Sequence, residues 1–274
     1  MIWHDGKIVD PDDVRVGLDD RIFEHGLGLF ETLRTYNGQA RLLPKHLARL
    51  KASAYELGLP LDRVKLPGLD AVADLLNHCK LTDALLRITM TGGSANLKPP
   101  VLWMTAKALP TIAYEPIPVV VGPHPVLIVD RLSAYKSLNY WARRLAFQIA
   151  DDAGAADCLL CGSDLHVWEG SRHNILLVPQ NLPKTIVTPT LQGPVLPGIM
   201  RAEALAFAAR HGYLIEERAV MLDELFEAQA VWLTNSVRGV RRVSQIDATL
   251  LNLDRQQEFT RRFQHEMPLT FGGT

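Results

Sequence analysis

Apolar and polar positions follow two rhythms along this chain, one close to period two and one close to 3.6 residues. In the first 110 residues, runs rich in β-branched and aromatic side chains predict strands at residues 7–9, 29–36, 84–91 and 101–106. Asn37-Gly38, directly after the second run, signals a tight hairpin with a return strand at residues 40–43. Pro44 then opens a helical pattern in which Leu47, Leu50, Ala54 and Leu57 recur on one face, and Gly58 is its expected C-cap. A second helix is expected over residues 69–79, and Thr91-Gly92-Gly93-Ser94 turns between the last two strands.

Residues 109–118 carry Pro110, Pro116 and Pro118, which suit neither a helix interior nor a central strand. They are expected to link an N-terminal α+β lobe, residues 1–108, to a C-terminal one, residues 119–274. Beyond them the pattern gives a strand at 119–121, a helix from 138 to about 153, and strands at 156–161, 165–168 and 174–178, with Gly162-Ser163-Asp164 turning between the first two of these. Pro197 introduces a helix that runs to His211 and ends at Gly212. Strands at 230–234 and 240–246 and an amphipathic helix at 255–266 complete the chain. Helices and strands are interspersed without regular βαβ alternation, so the fold class expected is α+β.

Composition narrows the function classes. The 274 residues are 47% hydrophobic and 22% charged, with 29 Lys and Arg against 30 Asp and Glu. That content supports a large core and excludes a disordered chain. A net charge of −1 leaves no electrostatic footprint for nucleic acid or anionic lipid. Three cysteines make no disulfide framework. The amino terminus, Met1-Ile2-Trp3-His4-Asp5-Gly6-Lys7, lacks the apolar run of a signal peptide, and no stretch approaches the length of a membrane span. The location expected is the cytoplasm.

Several motifs invite chemistry and fail on geometry. Cys158-Leu159-Leu160-Cys161 has C-x-x-C spacing, but in a strand residues three apart point to opposite faces and cannot share a metal. Gly26-Leu27-Gly28 opens like a dinucleotide loop, yet Glu31 stands where the third glycine belongs. Glu169 and His173, with His166 nearby, would need a helix to form a metal triad, and Gly170-Ser171 breaks it. No metal site is expected.

Other segments fit together. Lys136 precedes a helix, and Glu169-Gly170-Ser171-Arg172-His173-Asn174 is a polar cluster between apolar strands. Leu196-Pro197-Gly198-Ile199-Met200-Arg201 sets a glycine at a helix start, where free N–H groups and the helix dipole can hold a phosphate. Thr234-Asn235-Ser236 ends an apolar strand, and Arg49 offers a bidentate phosphate contact. Taken singly these are a turn, a cap, a strand end and a solvated arginine. Together they supply a lysine, a carboxylate and a phosphate cradle.

With residues 23–32 (FEHGLGLFET), His46-Leu47-Ala48-Arg49-Leu50, residues 136–140 (KSLNY), Glu169-Gly170-Ser171 with Asn174, residues 196–201 (LPGIMR) and Thr234-Asn235-Ser236 in this order, the chain resembles the fold-type IV pyridoxal-phosphate enzymes, the class IV aminotransferases. The resemblance implies a two-lobed architecture like that of D-amino acid aminotransferases, with pyridoxal 5′-phosphate as cofactor, a small amino substrate and a homodimer. It implies that Lys136, in the C-terminal lobe, carries the cofactor and shuttles the proton, with the depressed basicity that a cationic neighbour brings. Glu169 would meet the pyridine nitrogen and Tyr140 the phenolic oxygen. Arg49, Gly198, the N–H groups of Ile199 and Met200, Ser236 and Val237 would hold the phosphate, with Ser171 and Asn174 also at the cofactor. Arg87 matches an arginine that faces the substrate carboxylate in several members, although an outward strand residue is an equally good reading.

The family contains branched-chain aminotransferases, D-amino acid aminotransferases and 4-amino-4-deoxychorismate lyases. The D-amino acid enzymes carry an Arg-x-His pair in the loop that here reads Gly92-Gly93-Ser94-Ala95-Asn96-Leu97, and branched-chain enzymes usually show Gly-Thr-Ala where this chain has Asn235-Ser236-Val237. Residues 23–32 and the word Thr234-Asn235-Ser236-Val237 look more like the lyases, which form 4-aminobenzoate and pyruvate in the folate branch. Arg241-Arg242 departs from a pattern that usually has proline second. The expectation is a lyase, with a class IV aminotransferase acting on branched-chain or D-amino acids as the alternative.

Overall fold

The computed structural model describes residues 1–94, 98–109, 115–124, 126 and 130–270, with the side chains of residues 254–256 and 268–270 outside the description. Contacts divide the chain into two compact units, Met1–Thr111 with Tyr135–Asn139, and Ile112–Ala134 with Tyr140–Thr274.

The first unit contains β1 (Ile2–His4), β2 (Lys7–Val9), α1 (Arg21–His25), β3 (Gly28–Arg34), α2 (Leu43–Glu56), α3 (Leu69–Cys79), β4 (Ala84–Thr91) and β5 (Leu102–Ala108). Its antiparallel sheet has the order β2-β1-β5-β4-β3. Register sets Leu29 opposite Met90, Glu31 opposite Ile88 and Leu33 opposite Leu86 on one face. That face is buried in a core shared with Leu43, Leu50 and Ala54 of α2 and Val72 and Leu75 of α3. The alternate positions carry Phe30, Thr32, Arg87 and Thr89 on the other face.

The Asn37-Gly38 turn forms with φ of 49° and 76°, and Tyr36 and Gln39 exchange both backbone hydrogen bonds at 3.0 Å. The expected return strand at residues 40–43 does not. Leu43 is 1% exposed and begins α2, so burial of the helical stripe wins over the short strand signal. The helix α1 had no apolar rhythm to announce it. It is five residues long, capped by Asp20, which accepts from Ile22 N–H at 2.9 Å, and closed by Gly26 in the left-handed region.

The second unit contains β6 (Ile117–Val121), α4 (Trp141–Asp152), β7 (Asp157–Cys161), β8 (Val167–Gly170), β9 (Asn174–Val178), β10 (Thr185–Pro189), α5 (Ile199–Arg210), β11 (Leu214–Arg218), α6 (Leu222–Glu227), β12 (Ala230–Asn235), β13 (Gly239–Ile246), β14 (Thr249–Leu250) and α7 (Asp254–Thr270). Its mixed sheet follows β11-β10-β9-β12-β13-β6-β7-β8, with β14 on β13. The pairs β10/β11, β6/β13 and β6/β7 are parallel and the others antiparallel. One face buries Val231, Leu233, Ile175, Leu177 and Val243, and the other sets Trp232 against Phe259 of α7. The α+β class expected from the sequence is the class observed.

At the join between the two units, the structure differs from the sequence reading in two places. Of the expected linker, residues 110–114 lie outside the described residues, while Ile117 and Pro118 already belong to β6. Residues 136–138 were expected with the second lobe, the last of them opening its first helix. Instead Phe30 N–H donates to Lys136 O and Leu138 N–H to Gly28 O, both at 2.9 Å, so the segment runs extended along β3 and groups with the first unit. The helix α4 therefore starts at Trp141.

Candidate active site

In the first unit, the backbone of β3 fixes Lys136. The close approach depends on Gly28, because a Cβ there would lie 2.6 Å from Met90 O and collide with Leu138. The half-buried Lys136 directs its ammonium over the Phe30 ring, 4.5 Å from the centroid. The Arg87 guanidinium lies 3.8 Å from the same centroid, and its Nε donates to Thr89 Oγ1 at 3.2 Å. The structure thus brings Lys136 and Arg87 together around one aromatic side chain, a cation–π arrangement on both counts.

Arg49 projects from α2 into a buried ion pair. Its Nε donates to Glu31 Oε1 at 2.8 Å and its Nη2 to Oε2 at 2.6 Å. His46, one turn earlier on α2, meets Oε2 through Nδ1 at 2.7 Å. Burial alone would raise the Glu31 carboxyl, but Arg49 and His46 outweigh it and hold the group at about 2. Burial pushes His46 below its ordinary value against the pull of Glu31, so the ring is neutral near pH 7 and donates from Nδ1. The result is a guanidinium locked in one orientation with its side chain 10% exposed.

In the second unit, Glu169 is the penultimate residue of β8, a buried carboxylate with partners on both oxygens. Arg143 of α4 pairs with Oε1, while Asn174 Nδ2 at 3.1 Å and the Leu196 N–H at 3.2 Å reach Oε2. Asn174 Nδ2 also donates to Leu196 O at 2.9 Å. These bonds clamp the loop that leads into α5. Gly198 is required there, since a Cβ would overlap the Asn174 side chain. The helix opens at Ile199 without a side-chain cap, so its first N–H groups, those of Ile199 and Met200 among them, have no acceptor within the helix.

Across the sheet from Asn174 stands Thr234, whose buried hydroxyl has no hydrogen-bond partner among the described residues. Asn235 Oδ1 accepts from Val237 N–H at 3.1 Å and Arg238 N–H at 2.7 Å, which fixes the β12–β13 turn that presents Ser236 and Val237. Tyr140 donates to Ser171 O at 3.5 Å, and burial raises its phenol. Ser171 is fully buried and its hydroxyl is taken by Asp157. Asp157 also accepts from Cys158 N–H at 2.8 Å and Arg172 N–H at 3.2 Å and meets His173 Nδ1 at 2.5 Å. Burial opposes its charge, yet His173 and Ser171 keep its carboxyl below the usual range. Asp157 therefore ties down the turn that carries both Glu169 and Asn174.

Sequence reasoning missed Phe30, Glu31, His46, Arg143, Asp157 and Thr234. Phe30, Glu31, His46 and Thr234 sit inside words that had drawn attention, but without a role of their own, while Arg143 and Asp157 lie outside them; apart from the unpartnered Thr234, each is defined by a partner distant in the chain. The rejected Cys158 and Cys161 do lie on opposite faces of β7, Cys158 against Ala146 and Ala150 and Cys161 in the main core. Burial pushes their thiols up to about 11 and about 12.

The first unit thus holds an aromatic-flanked lysine, and the second an anchored carboxylate beside an uncapped helix start. The amino-transferase class IV family model matches residues 28–246, and the chain belongs to that family. Enzymes of this family depend on pyridoxal 5′-phosphate. The chain is similar to the "Putative branched-chain-amino-acid aminotransferase" of Methanocaldococcus jannaschii, at 29% identity over 97% of this chain and 94% of that protein. The D-alanine aminotransferase of Bacillus licheniformis is 28% identical over 96% and 94%. Among solved structures, the "Putative 4-amino-4-deoxychorismate lyase" of Legionella pneumophila matches with a TM-score of 0.83 and 26% identity, covering 95% of this chain and 98% of that one. Among the described residues, no helix is long and apolar enough to cross a membrane.

Proposed function

We propose that Lys136 carries pyridoxal 5′-phosphate, and that Arg49, the N–H groups of Ile199 and Met200, Ser236 and Val237 hold its phosphate. The observation that carries this reading is the buried, partnerless Thr234 hydroxyl beside Asn174, the residue that also clamps the loop into the uncapped start of α5. A polar atom buried without a partner is costly, and a phosphate oxygen would satisfy it. Gly198, by lacking a Cβ, leaves room for the Asn174 side chain that clamps this loop. The cofactor supplies an electron sink that makes the substrate α-hydrogen acidic. Glu169 meets the ring nitrogen, held in aim by Asn174, Arg143 and the Leu196 N–H. Tyr140 donates to the phenolic oxygen. Ser171 acts one step back, through Asp157. The Lys136 amine removes the proton from the substrate α-carbon, and Arg87, beside the same Phe30 ring, receives the substrate carboxylate.

The finer reading is a 4-amino-4-deoxychorismate lyase that releases pyruvate and leaves 4-aminobenzoate, working as a cytoplasmic homodimer in the folate branch. It is supported by the words at residues 23–32 and 234–237 and by the likeness to the Legionella protein. The alternative, an aminotransferase acting on branched-chain or D-amino acids with a 2-keto acid acceptor, is favoured by the names of the archaeal and Bacillus relatives. Lys136 removes the same proton in both, so the deciding property is the need for an acceptor. A lyase substrate carries its own leaving group and gains aromaticity. The purified protein is expected to form 4-aminobenzoate and pyruvate from aminodeoxychorismate with no keto acid present. Sustained transfer from leucine, valine or D-alanine to 2-oxoglutarate, with no aminobenzoate formed, would establish the aminotransferase instead.

A further inference from the structure

The roles proposed above for the phosphate, the lysine and the substrate do not include the buried arginine on Glu169. Arg143 lies one turn beyond Tyr140 on α4, with its side chain 16% exposed against 2% for Glu169. Its guanidinium pairs with Glu169 Oε1, donates through Nη2 to Ser133 O at 3.3 Å, and reaches Ser171 O through Nη1 at 3.5 Å. The guanidinium is thus fixed from three segments of the second unit, and one of them is the turn that follows Glu169. Burial works against the charge of Arg143, and Glu169 outweighs it, so the arginine is held above its ordinary value. Tyr140 of α4's N-cap and Asp157 of β7 also act on Arg143, and Arg172 of the turn acts on Tyr140.

We propose that Arg143 is a positioning residue that tunes Glu169: it keeps the carboxylate ionised and aimed and, by sharing its negative charge, limits how tightly Glu169 holds a proton on the cofactor's ring nitrogen. This inference rests on the cofactor reading above and deepens it. A carboxylate alone against a pyridine nitrogen favours the protonated ring, since opposite charges in a desolvated site attract strongly. A guanidinium on Oε1 opposes that preference. The depth of the electron sink is then set by a balance of two residues on different elements, α4 and β8, rather than by Glu169 alone. Arginine suits the task because it stays charged and its planar fork cannot rotate away from three acceptors.

The test uses the holoprotein reconstituted with pyridoxal phosphate labelled with 15N in the ring. The ring 15N shift is followed from pH 5 to 10 in the native chain, Arg143→Gln and Arg143→Lys. The native ring nitrogen is expected to titrate within that range. In Arg143→Gln its midpoint should rise by at least one pH unit, a tenfold tighter hold on the proton, and Arg143→Lys should return it to within half a unit of native. A merely structural arginine would weaken cofactor binding in both variants and leave the midpoint where it was, which overturns the proposal. A native ring nitrogen that stays protonated to pH 10 overturns it as well, and needs no variant to fold. Failure of the underlying cofactor reading shows itself differently, as a native chain that takes up no pyridoxal phosphate on Lys136.

Discussion

Replacing Glu31 with glutamine removes a carboxylate that is 1% exposed and shared by Arg49 and His46. The amide has the same shape, but one of its ends is a donor and would face the donors of Arg49 or His46. The guanidinium is left buried without its counter-charge. The fall of the Glu31 carboxyl from 4.5 to about 2 is a difference of about 2.5 pH units. At roughly 1.4 kcal/mol per unit this is about 3.5 kcal/mol of stability at neutral pH. Breaking a buried ion pair from one side costs about 3–5 kcal/mol, which agrees. Because the folded value is depressed, the contribution is complete above about 4.5 and declines as pH falls towards 2. Urea unfolding followed by circular dichroism at pH 7 should therefore show Glu31→Gln less stable by about 3.5 kcal/mol. The gap should narrow by roughly 1.4 kcal/mol at pH 3.5, since the native carboxylate is then partly spent. A gap below about 1 kcal/mol at pH 7, or one that does not narrow in acid, would refute the reasoning.

Gly198→Ala forces a Cβ into the Asn174 side chain, so pyridoxal phosphate affinity should fall at least tenfold by fluorescence titration while the far-ultraviolet spectrum is kept; unchanged affinity would separate the α5 start from the cofactor. Glu169→Gln should lower turnover by orders of magnitude and weaken cofactor binding far less, and an unchanged kcat would show that the working carboxylate lies elsewhere. Of the three cysteines, only the half-buried Cys79 should react with an aromatic disulfide reagent at pH 8, because Cys158 and Cys161 are buried with thiols at about 11 and about 12. Rapid release of three equivalents from the folded protein would contradict that.

Much of the fold was legible where periodicity was strong. The helix over residues 69–79 and the strand over 84–91 were read to the residue, because an apolar stripe and a buried β-branched run leave little choice. Two of the omitted elements have a different physics. The strand β11 reads Leu-Ile-Glu-Glu-Arg, with three charges in five residues, and gains its place by parallel pairing to β10 at the sheet edge. The helix α6 is six residues long and depends on a capping contact between Met221 and Glu224. Residues 136–138 looked like a helix start and became a strand-like pairing with β3 because Gly28 makes room for it. In the site, the motifs named Lys136, Glu169, Asn174 and Arg49, but not what holds them. Arg143 lies 26 residues from Glu169 and Glu31 lies 18 residues from Arg49, and nothing local says which charges meet.

The central claim is that Lys136 is the cofactor lysine, and chemical trapping tests it directly. The native protein is reconstituted with pyridoxal phosphate, reduced with borohydride, digested and mapped by mass spectrometry beside Lys136→Ala. The expected result is a single phosphopyridoxyl-lysine in the peptide containing residues 136–140 of the native chain, and none in the variant. A label on another lysine, or a label that persists in Lys136→Ala, would contradict the account.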